Sequence, residues 1–553
     1  MTQFARRHPV LALVACLAGL GLAGCSPEHY RRSADDEVYA IIKAKSKAVP
    51  GMVSDFTIER TDQDLLADCP RASAPGTGEA QDADAAPSEQ APVVLTLAKA
   101  LEIATLNSRR YQTEKENVYR QILSLTLQRY AFRPQFFGTL SGEYDETNMG
   151  ESREVRGDSD FGFSWLLATG TRITAALTTS VSQFVKGDPQ RAASSAFNLT
   201  ITQPILQGAG LAVTEGLTQA ERDAIYEIRD FVRFRRTFFV SILEAFYRVL
   251  EDAQVVENER LNLESLVQLR ESTEEMAKAG RRAEYEVDRV RQQELLAGDR
   301  LVRAQQIYET SLDDIKITLG LGTETPLVLD SAELALLTAE GMSGIPLTAE
   351  SIVALALANR LDLQTAADEV EDAERTVKVA ANDLLPGLDL SASLDTQTAG
   401  NSPTNFQMDR TDYMVGFELD LPLDKLSERN SYRSALIDAD RAKRSHEEMR
   451  DEIVYAVRSA WRQYDRAQRS YAIQERSVQL AKDRLDSTRM LLEAGRVEAR
   501  EVLDAQEDLV GAQNDLAGAL VDYKVARLEL ARDMGILAVG DRGELKESFD
   551  AYQ

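Results

Sequence analysis

The sequence predicts a mainly α-helical protein built from one duplicated unit, in which long helical hairpins alternate with short sets of amphipathic strands. Three observations carry that expectation. Two proline-free spans, between Pro204 and Pro326 and after Pro422, are rich in strong helix formers such as Ala, Leu, Glu, Gln and Arg, the composition of extended helices. Ahead of each span the hydrophobic period switches from 3.6 residues to 2. Matching residues also recur down the chain at two constant spacings, which marks an internal repeat.

The chain has 553 residues, of which 44% are apolar and only 7% aromatic. Its formal net charge is −27, and the basic residues form no block larger than pairs such as Arg31-Arg32. That balance excludes the electrostatic footprint of a nucleic-acid binder and reads as a solvated helical exterior or a cation-favouring surface.

At the N-terminus Arg6 and Arg7 precede an apolar run from Val10 to Leu22 that ends in Leu22-Ala23-Gly24-Cys25. This is a signal peptide over residues 1–24 with a lipobox, and the thiol of Cys25 would take a diacylglycerol before cleavage. The run is too short to persist as a spanning helix. Cys16 leaves with the signal, so Cys69 alone would remain a thiol and no intrachain disulfide is expected. Residues 25–69 form an N-terminal extension with a helix expected around Asp35 to Lys47. Residues 70–92 hold Pro, Gly, Ser and acidic residues with no large apolar side chain, and predict a disordered linker.

Two copies of one unit follow, at 93–337 and 338–540, with a tail at 541–553. Asn107, Gln112 and Pro134 recur as Asn359, Gln364 and Pro386; Ala279-Gly280-Arg281, Tyr308 and Gly320 recur as Ala494-Gly495-Arg496, Tyr523 and Gly535. Each unit starts with a shorter helix, about 97–132 or 349–384. Strand-like alternation comes next, at about 136–145, 160–168, 172–184 and 196–203 in the first copy and 388–397 and 412–421 in the second. Segments of about ten residues suit tilted strands crossing a bilayer. A soluble sandwich would read alike, and the long helices and the lipobox favour the membrane.

The long helices are expected from about Leu211 to Lys278 and Ser427 to Glu493. In the second, Ile453, Val457, Ala460, Tyr464, Ala467 and Tyr471 begin a seam whose spacing alternates four and three through Leu485 and Leu492, a heptad pattern. An extra four-residue step between Met449 and Val457 is a stutter that locally unwinds a supercoil. Such a helix would be roughly 100 Å long. Each then turns at Gly280 or Gly495 into a return helix of about half the length, Gly suiting the left-handed residue at a helix end.

The lipobox, the duplicated helix-strand-strand-helix-helix unit, Pro204 and Pro422 at the strand-to-helix exits, and the two tip glycines together resemble the TolC family of outer-membrane efflux proteins, over residues 93–540. The resemblance implies a homotrimer whose strands form one shared outer-membrane β-barrel and whose long helical hairpins form a periplasmic tunnel. It further implies an outer-membrane channel of a tripartite efflux or type I secretion system, lipid-anchored at Cys25. A periplasmic adaptor bound to an inner-membrane pump would dock at the tips, Ala279, Gly280, Arg281, Ala494, Gly495 and Arg496. "EVLDAQ" (501 to 506) resembles the family's tip sequence in which two carboxylates three apart line the tunnel gate. On a helix i and i+3 share a face, so Glu501 and Asp504 from three copies would favour cations.

The sequence departs from the family in three places. Leu492 and Val497 stand where some members carry a Tyr and an Arg that hold the tip shut. The matching stretch at Glu286 and Arg289 lacks the paired acids. The first unit has four strand-like segments where two are needed. Three chains of four strands give twelve and three of six give eighteen; twelve is expected, with the extra hairpin at 160–184 lying outside the closure or lengthening it.

No catalysis, cofactor or metal site is expected. Of three histidines, His8 leaves with the signal, His29 lies in the extension and His446 falls on the helix seam, and "HEEMR" (446 to 450) lacks the second His of a zinc hydrolase helix. The competing reading is a lipid-anchored coiled-coil tether or spacer of the envelope that conducts nothing; it leaves the amphipathic strands and the duplication without purpose. In such systems the pump usually selects the cargo, so the sequence leaves the transported substrate open.

Overall fold

The computed structural model describes residues 26–53, 55–59, 92–147, 152–186, 191–342 and 344–546. The signal peptide, Cys25, Cys69 and nearly all of the 70–92 linker lie outside the described residues. Two compact units emerge, and neither coincides with one sequence repeat. The first takes the described residues up to Ala48, Val118–Ile228 and Gln364–Glu447; the second takes Val49–Asn117, Arg229–Leu363 and the rest from Glu448.

Helix α1 spans Pro27–Lys45, earlier than the sequence suggests, because Ser26 caps it by accepting from the His29 N–H and Pro27 occupies the first turn. In the first unit α1 is tied to the helices that follow. Tyr119 donates to Asp35 at 2.6 Å, and Lys45 and Arg129 both pair with Glu221. Burial alone would raise the Glu221 carboxyl, but its hydrogen bonds from Lys45 and Arg129 outweigh that and hold it below its ordinary range.

The first repeat's opening helix is broken into α2 (Leu97–Asn107) and α3 (Arg109–Tyr130), and the second repeat's into α7 (Ala349–Asn359) and α8 (Leu361–Asn382). One continuous helix was the expectation for each. The break falls at matched residues, Ser108 and Arg360, both extended. Its cause is tertiary. Asn107 donates to the Gly320 carbonyl at 2.8 Å, and Gly320 approaches so closely, at φ +78°, that a Cβ there would sit 2.3 Å from the Asn107 carbonyl oxygen. Gly535 meets Asn359 in the same way.

The long helices are α4 (Leu211–Lys278) and α9 (Leu426–Glu493), 68 residues each, followed by return helices α5 (Glu284–Leu319) and α10 (Ala499–Asp533). The expected seam of α9 is the buried one: Ile453, Val457, Ala460, Tyr464, Ala467, Tyr471, Leu485 and Leu492 are all under 9% exposed. In the second unit α4 also carries Phe231, Phe234, Phe238 and Phe239 against Tyr111. Beside them the buried Arg235 donates to the carbonyls of Gly51 and Gly540, each at 2.8 Å. Strands β1 (Val93–Leu95) and β6 (Leu327–Leu329) form a short parallel pair, and α6 spans Ala332–Glu340. Two further short strands, β9 (Ala538–Val539) and β10 (Leu545–Lys546), pair antiparallel.

In the first unit six strands form one sheet: β2 (Gln135–Thr147), β3 (Ser152–Leu166), β4 (Arg172–Lys186), β5 (Arg191–Pro204), β7 (Gly387–Gln397) and β8 (Asp412–Asp420), hydrogen-bonded in that order. Every neighbouring pair is antiparallel. Of the two places expected for the extra hairpin within 160–184, outside the closure or lengthening it, the sheet does not set it apart: β3 and β4 run through the middle, between β2 and β5. The register puts alternate residues of all six strands on one face, namely 136 to 144, 155 to 165, 173 to 183, 193 to 203, 388 to 396 and 413 to 419. That face carries no charged residue among these positions. The opposite face carries carboxylates, hydroxyls and amides. Apolar-out and polar-in alternation of this kind is the signature of a transmembrane β-barrel wall. No helix among the described residues is long and apolar enough to cross a membrane.

Gly320 and Gly280 share a left-handed backbone, but a Cβ on Gly280 would meet nothing within 4 Å. Gly280→Ala should therefore cost only the left-handed penalty, about 1 kcal/mol. Gly320→Ala adds a backbone clash and should cost roughly 3 kcal/mol; equilibrium denaturation of the two variants checks the difference.

Candidate functional site

The two hairpin tips of the second unit come from duplicated sequence and close with the same chemistry. After α4, the Gly280 N–H donates to the Ala277 carbonyl and the Arg281 N–H to the Met276 carbonyl, both at 2.9 Å; after α9, Gly495 donates to Leu492 and Arg496 to Leu491 at the same distance. This paired pattern around a left-handed Gly, φ +70° and +69°, is a Schellman termination. The opening residues Ala279, Gly280 and Arg281, and Ala494, Gly495 and Arg496, therefore sit where the sequence expects, at two sharp helix ends.

The turns then differ, and the difference joins them. Arg282 occupies the place that Val497 holds in the second copy. Its guanidinium donates to the carbonyls of Val497 at 2.8 Å and Leu492 at 3.3 Å, across the two tips. It also pairs with Glu286 at 3.4 Å, both side chains being nearly buried. Glu286 in turn accepts from the Ala499 N–H, the first residue of α10. An Arg thus serves the tip, supplied by the first hairpin. Leu492 and Val497 contribute a hydrophobic cluster with Leu485, Val502, Ala505, Leu269 and Leu509. Sequence reasoning missed Arg282; its only signal is that the two repeats diverge there, Arg against Val.

Glu501 and Asp504 are exposed on one face of α10, while Val502, Leu503, Ala505 and Gln506 are buried. The shared face expected from their spacing is therefore present. Neither carboxylate stands alone. Glu501 accepts from the Glu498 N–H at 3.1 Å, closing a capping box at the start of α10. Asp504 lies 3.7 Å from Arg500 one turn before it. The equivalent glutamates of the two repeats, Glu286 and Glu501, thus converge on the N-terminus of one helix, where the macrodipole favours negative charge.

Behind this face a cavity of about 200 Å³ is lined by Ser265, Leu269, Met276, Arg489, Leu492 and Gln506, among others. The buried Gln506 accepts from Arg489 at 3.0 Å, filling part of its polar demand. Among the described residues no cluster of His, Cys, Asp and Glu could hold a metal ion.

Removing the Arg282 side chain leaves Glu286 buried without its cation, takes the guanidinium donor from the Val497 carbonyl, and leaves the Leu492 carbonyl with the Gly495 N–H alone. Arg282→Ala should loosen the tip by about 2–4 kcal/mol. Hydrogen exchange read by mass spectrometry should be faster at residues 492–502 and unchanged in the sheet.

Residues 352–535 match the family model of the outer membrane efflux protein. No curated protein matches the chain in sequence. Solved structures do match it in fold. The outer membrane protein VceC of Vibrio cholerae superposes with TM-score 0.58 at 16% identity, over 79% of this chain and 96% of that one. The MtrE outer membrane channel of Neisseria gonorrhoeae, in an open state, gives 0.59 at 12%, over 86% and 98%. The CmeC outer membrane channel of Campylobacter jejuni gives 0.54 at 15%, over 87% and 96%. Residues 352–535 match the outer membrane efflux protein family model, and the chain shares its fold with these solved outer membrane proteins.

Proposed function

We propose that three copies of this chain form one conduit, with a shared β-barrel in the outer membrane and the long helical hairpins extending into the periplasm. The observation that carries this reading is the uncharged face running unbroken across six strands of a chain whose long helices end in paired tips. Such a face has a place in hydrocarbon and none in water. Lipid on Cys25 would hold α1, which starts two residues later, at the inner surface of the outer membrane.

The tips serve as the gate and as the dock. A periplasmic adaptor meets the exposed turns at Gly280 and Gly495, and an inner-membrane pump bound to that adaptor loads the conduit. Substrates then cross periplasm and outer membrane without catalysis by this chain. Six carboxylates, Glu501 and Asp504 of each copy, ring the entrance. Because Arg500 lies beside Asp504, the ring discriminates by charge less steeply than six isolated acids.

The reading that competes is a coiled-coil tether of the envelope. Reconstitution of the purified protein in planar bilayers separates the two: the conduit gives discrete conductance steps, and the tether is silent. Asp504→Asn keeps the Glu501 cap intact and should lower the preference of that current for potassium over chloride, read as a smaller reversal potential in a salt gradient. An unchanged reversal potential would remove Asp504 from the gate.

A further inference from the structure

The β3–β4 hairpin is the feature that the four-strand expectation leaves without a role. We infer that it is a wall element of the outer-membrane barrel, so that three copies close eighteen strands around a wide, acid-lined exit suited to bulky cationic solutes. This rests on the three-copy conduit proposed above.

Four observations lead there. The ladder is continuous: Gln135 to Thr147 of β2 pair with β3, β3 with β4, and β4 with β5, with one irregularity at Arg153/Glu154. Lifting the hairpin out of the wall would require β2 to pair with β5, and the sheet contains no such pairing. The second observation is the hairpin's own chemistry. Val155, Phe161, Phe163 and Trp165 of β3 lie on the same uncharged face as Ile173 and Leu177 of β4, in line with the apolar positions of β2, β5, β7 and β8. Phe161 is 50% and Leu177 38% exposed in the chain, which only lipid would cover along the whole sheet.

Third, the β2–β3 register is pinned from both sides. Gly138 pairs with Phe161 and Phe137 with Gly162. A Cβ on Gly138 would sit 2.8 Å from the Phe161 ring, and one on Gly162 would sit 2.6 Å from the Phe137 ring. Each aromatic ring therefore covers the glycine opposite, one on the apolar face and one on the polar face, a device that fixes strand pairing. A one-residue slip would lose both rings and turn the carboxylates of β3 to the apolar side. Fourth, six is even. With every neighbour antiparallel, the two edges β2 and β8 run in opposite directions, so the β8 edge of one copy can meet the β2 edge of the next in the same antiparallel manner.

Strand number sets bore. At about 4.8 Å between strands and a tilt of about 40°, eighteen strands enclose a backbone cylinder roughly 35 Å across and twelve one of roughly 24 Å. Barrels of 16–18 strands leave an open aqueous channel. The polar face that would line it is acidic: Asp158, Asp160, Asp395 and Glu418 stand there, against Arg156 and Arg172. The hairpin supplies two of those acids and both arginines. It thus enlarges the exit while its own acids and arginines offset, and the acids of β7 and β8 keep the lining negative, which favours cations and positively charged solutes of a size that a twelve-strand exit would exclude.

The test uses the full chain in lipid. Imaging of the purified protein in nanodiscs down the barrel axis should count eighteen strands; twelve, with a hairpin outside the ring, overturns the inference. Accessibility tests it independently. In a Cys69→Ser background reconstituted in planar bilayers, a charged methanethiosulfonate reagent should modify Asp158→Cys at least tenfold faster than Leu177→Cys and should reduce the current through the former. Equal modification of both, or modification without effect on current, places the hairpin in water and overturns the inference while the conduit stands. The double variant Asp158→Asn with Asp160→Asn should lower the potassium preference in a potassium chloride gradient, and an unchanged preference removes these acids from the lumen. Absence of any current from the unmodified protein would instead refute the conduit, and the strand inference with it.

Discussion

The structure depends on one constraint: a backbone amide in hydrocarbon has no water to bond, so a sheet that enters a bilayer must have no open edge. This chain makes one six-stranded sheet with an uncharged face and two edges, β2 and β8. A strand pairing that ends in lipid costs several kcal/mol for each unbonded group. In the proposed conduit that closure comes from further copies of the same sheet. The hydroxyls and carboxylates of the opposite face would then meet water inside the ring. The strands leave the sheet at Pro204 and near Pro422, where a residue without an N–H ends a ladder at no loss.

The helices solve a different problem with the same economy. A 68-residue helix cannot hold itself in register by propensity alone, and α9 does so through a seam of Ala, Tyr, Val and Leu with buried positions between Ala435 and Leu492 and half-buried ones among them. The small residues allow close helix approach, and the tyrosines add polar anchors: Tyr464 accepts from the Ile345 N–H at 3.2 Å. Burial, with the neighbouring Tyr523, pushes the Tyr464 hydroxyl up to about 12, so it stays protonated and keeps its bonding capacity at any physiological pH. At the far end of the seam the chain must reverse, and a left-handed Gly with two crossed hydrogen bonds does it twice.

Much of this was legible in the sequence because it is written in local periods. The bounds of α4 and α9, the seam residues, the two tip glycines and the strands of the second repeat all follow from 3.5-, 3.6- and 2-residue patterns. What was not legible depends on residues far apart in the chain. The break after Asn107 and Asn359 requires Gly320 and Gly535, more than 150 residues away, to press against those carbonyls. The start of β3 is hidden because its outward positions there are Val155, Gly157 and Ser159, too weakly apolar to display a period against Arg156, Asp158 and Asp160. In the tip, spacing placed Glu501 and Asp504 on one exposed face. It gave no sign that Glu501 would be spent as a cap, or that Arg282 would reach across to the second hairpin's carbonyls.

The central claim is that edges β2 and β8 are closed by copies of the same chain. The mass of the particle extracted from outer membranes in a mild detergent and weighed by native mass spectrometry tests it most directly. The account predicts three chains of about 61.2 kDa each before loss of the signal peptide and addition of lipid. A single chain per particle, stable and with its strands intact, would contradict it.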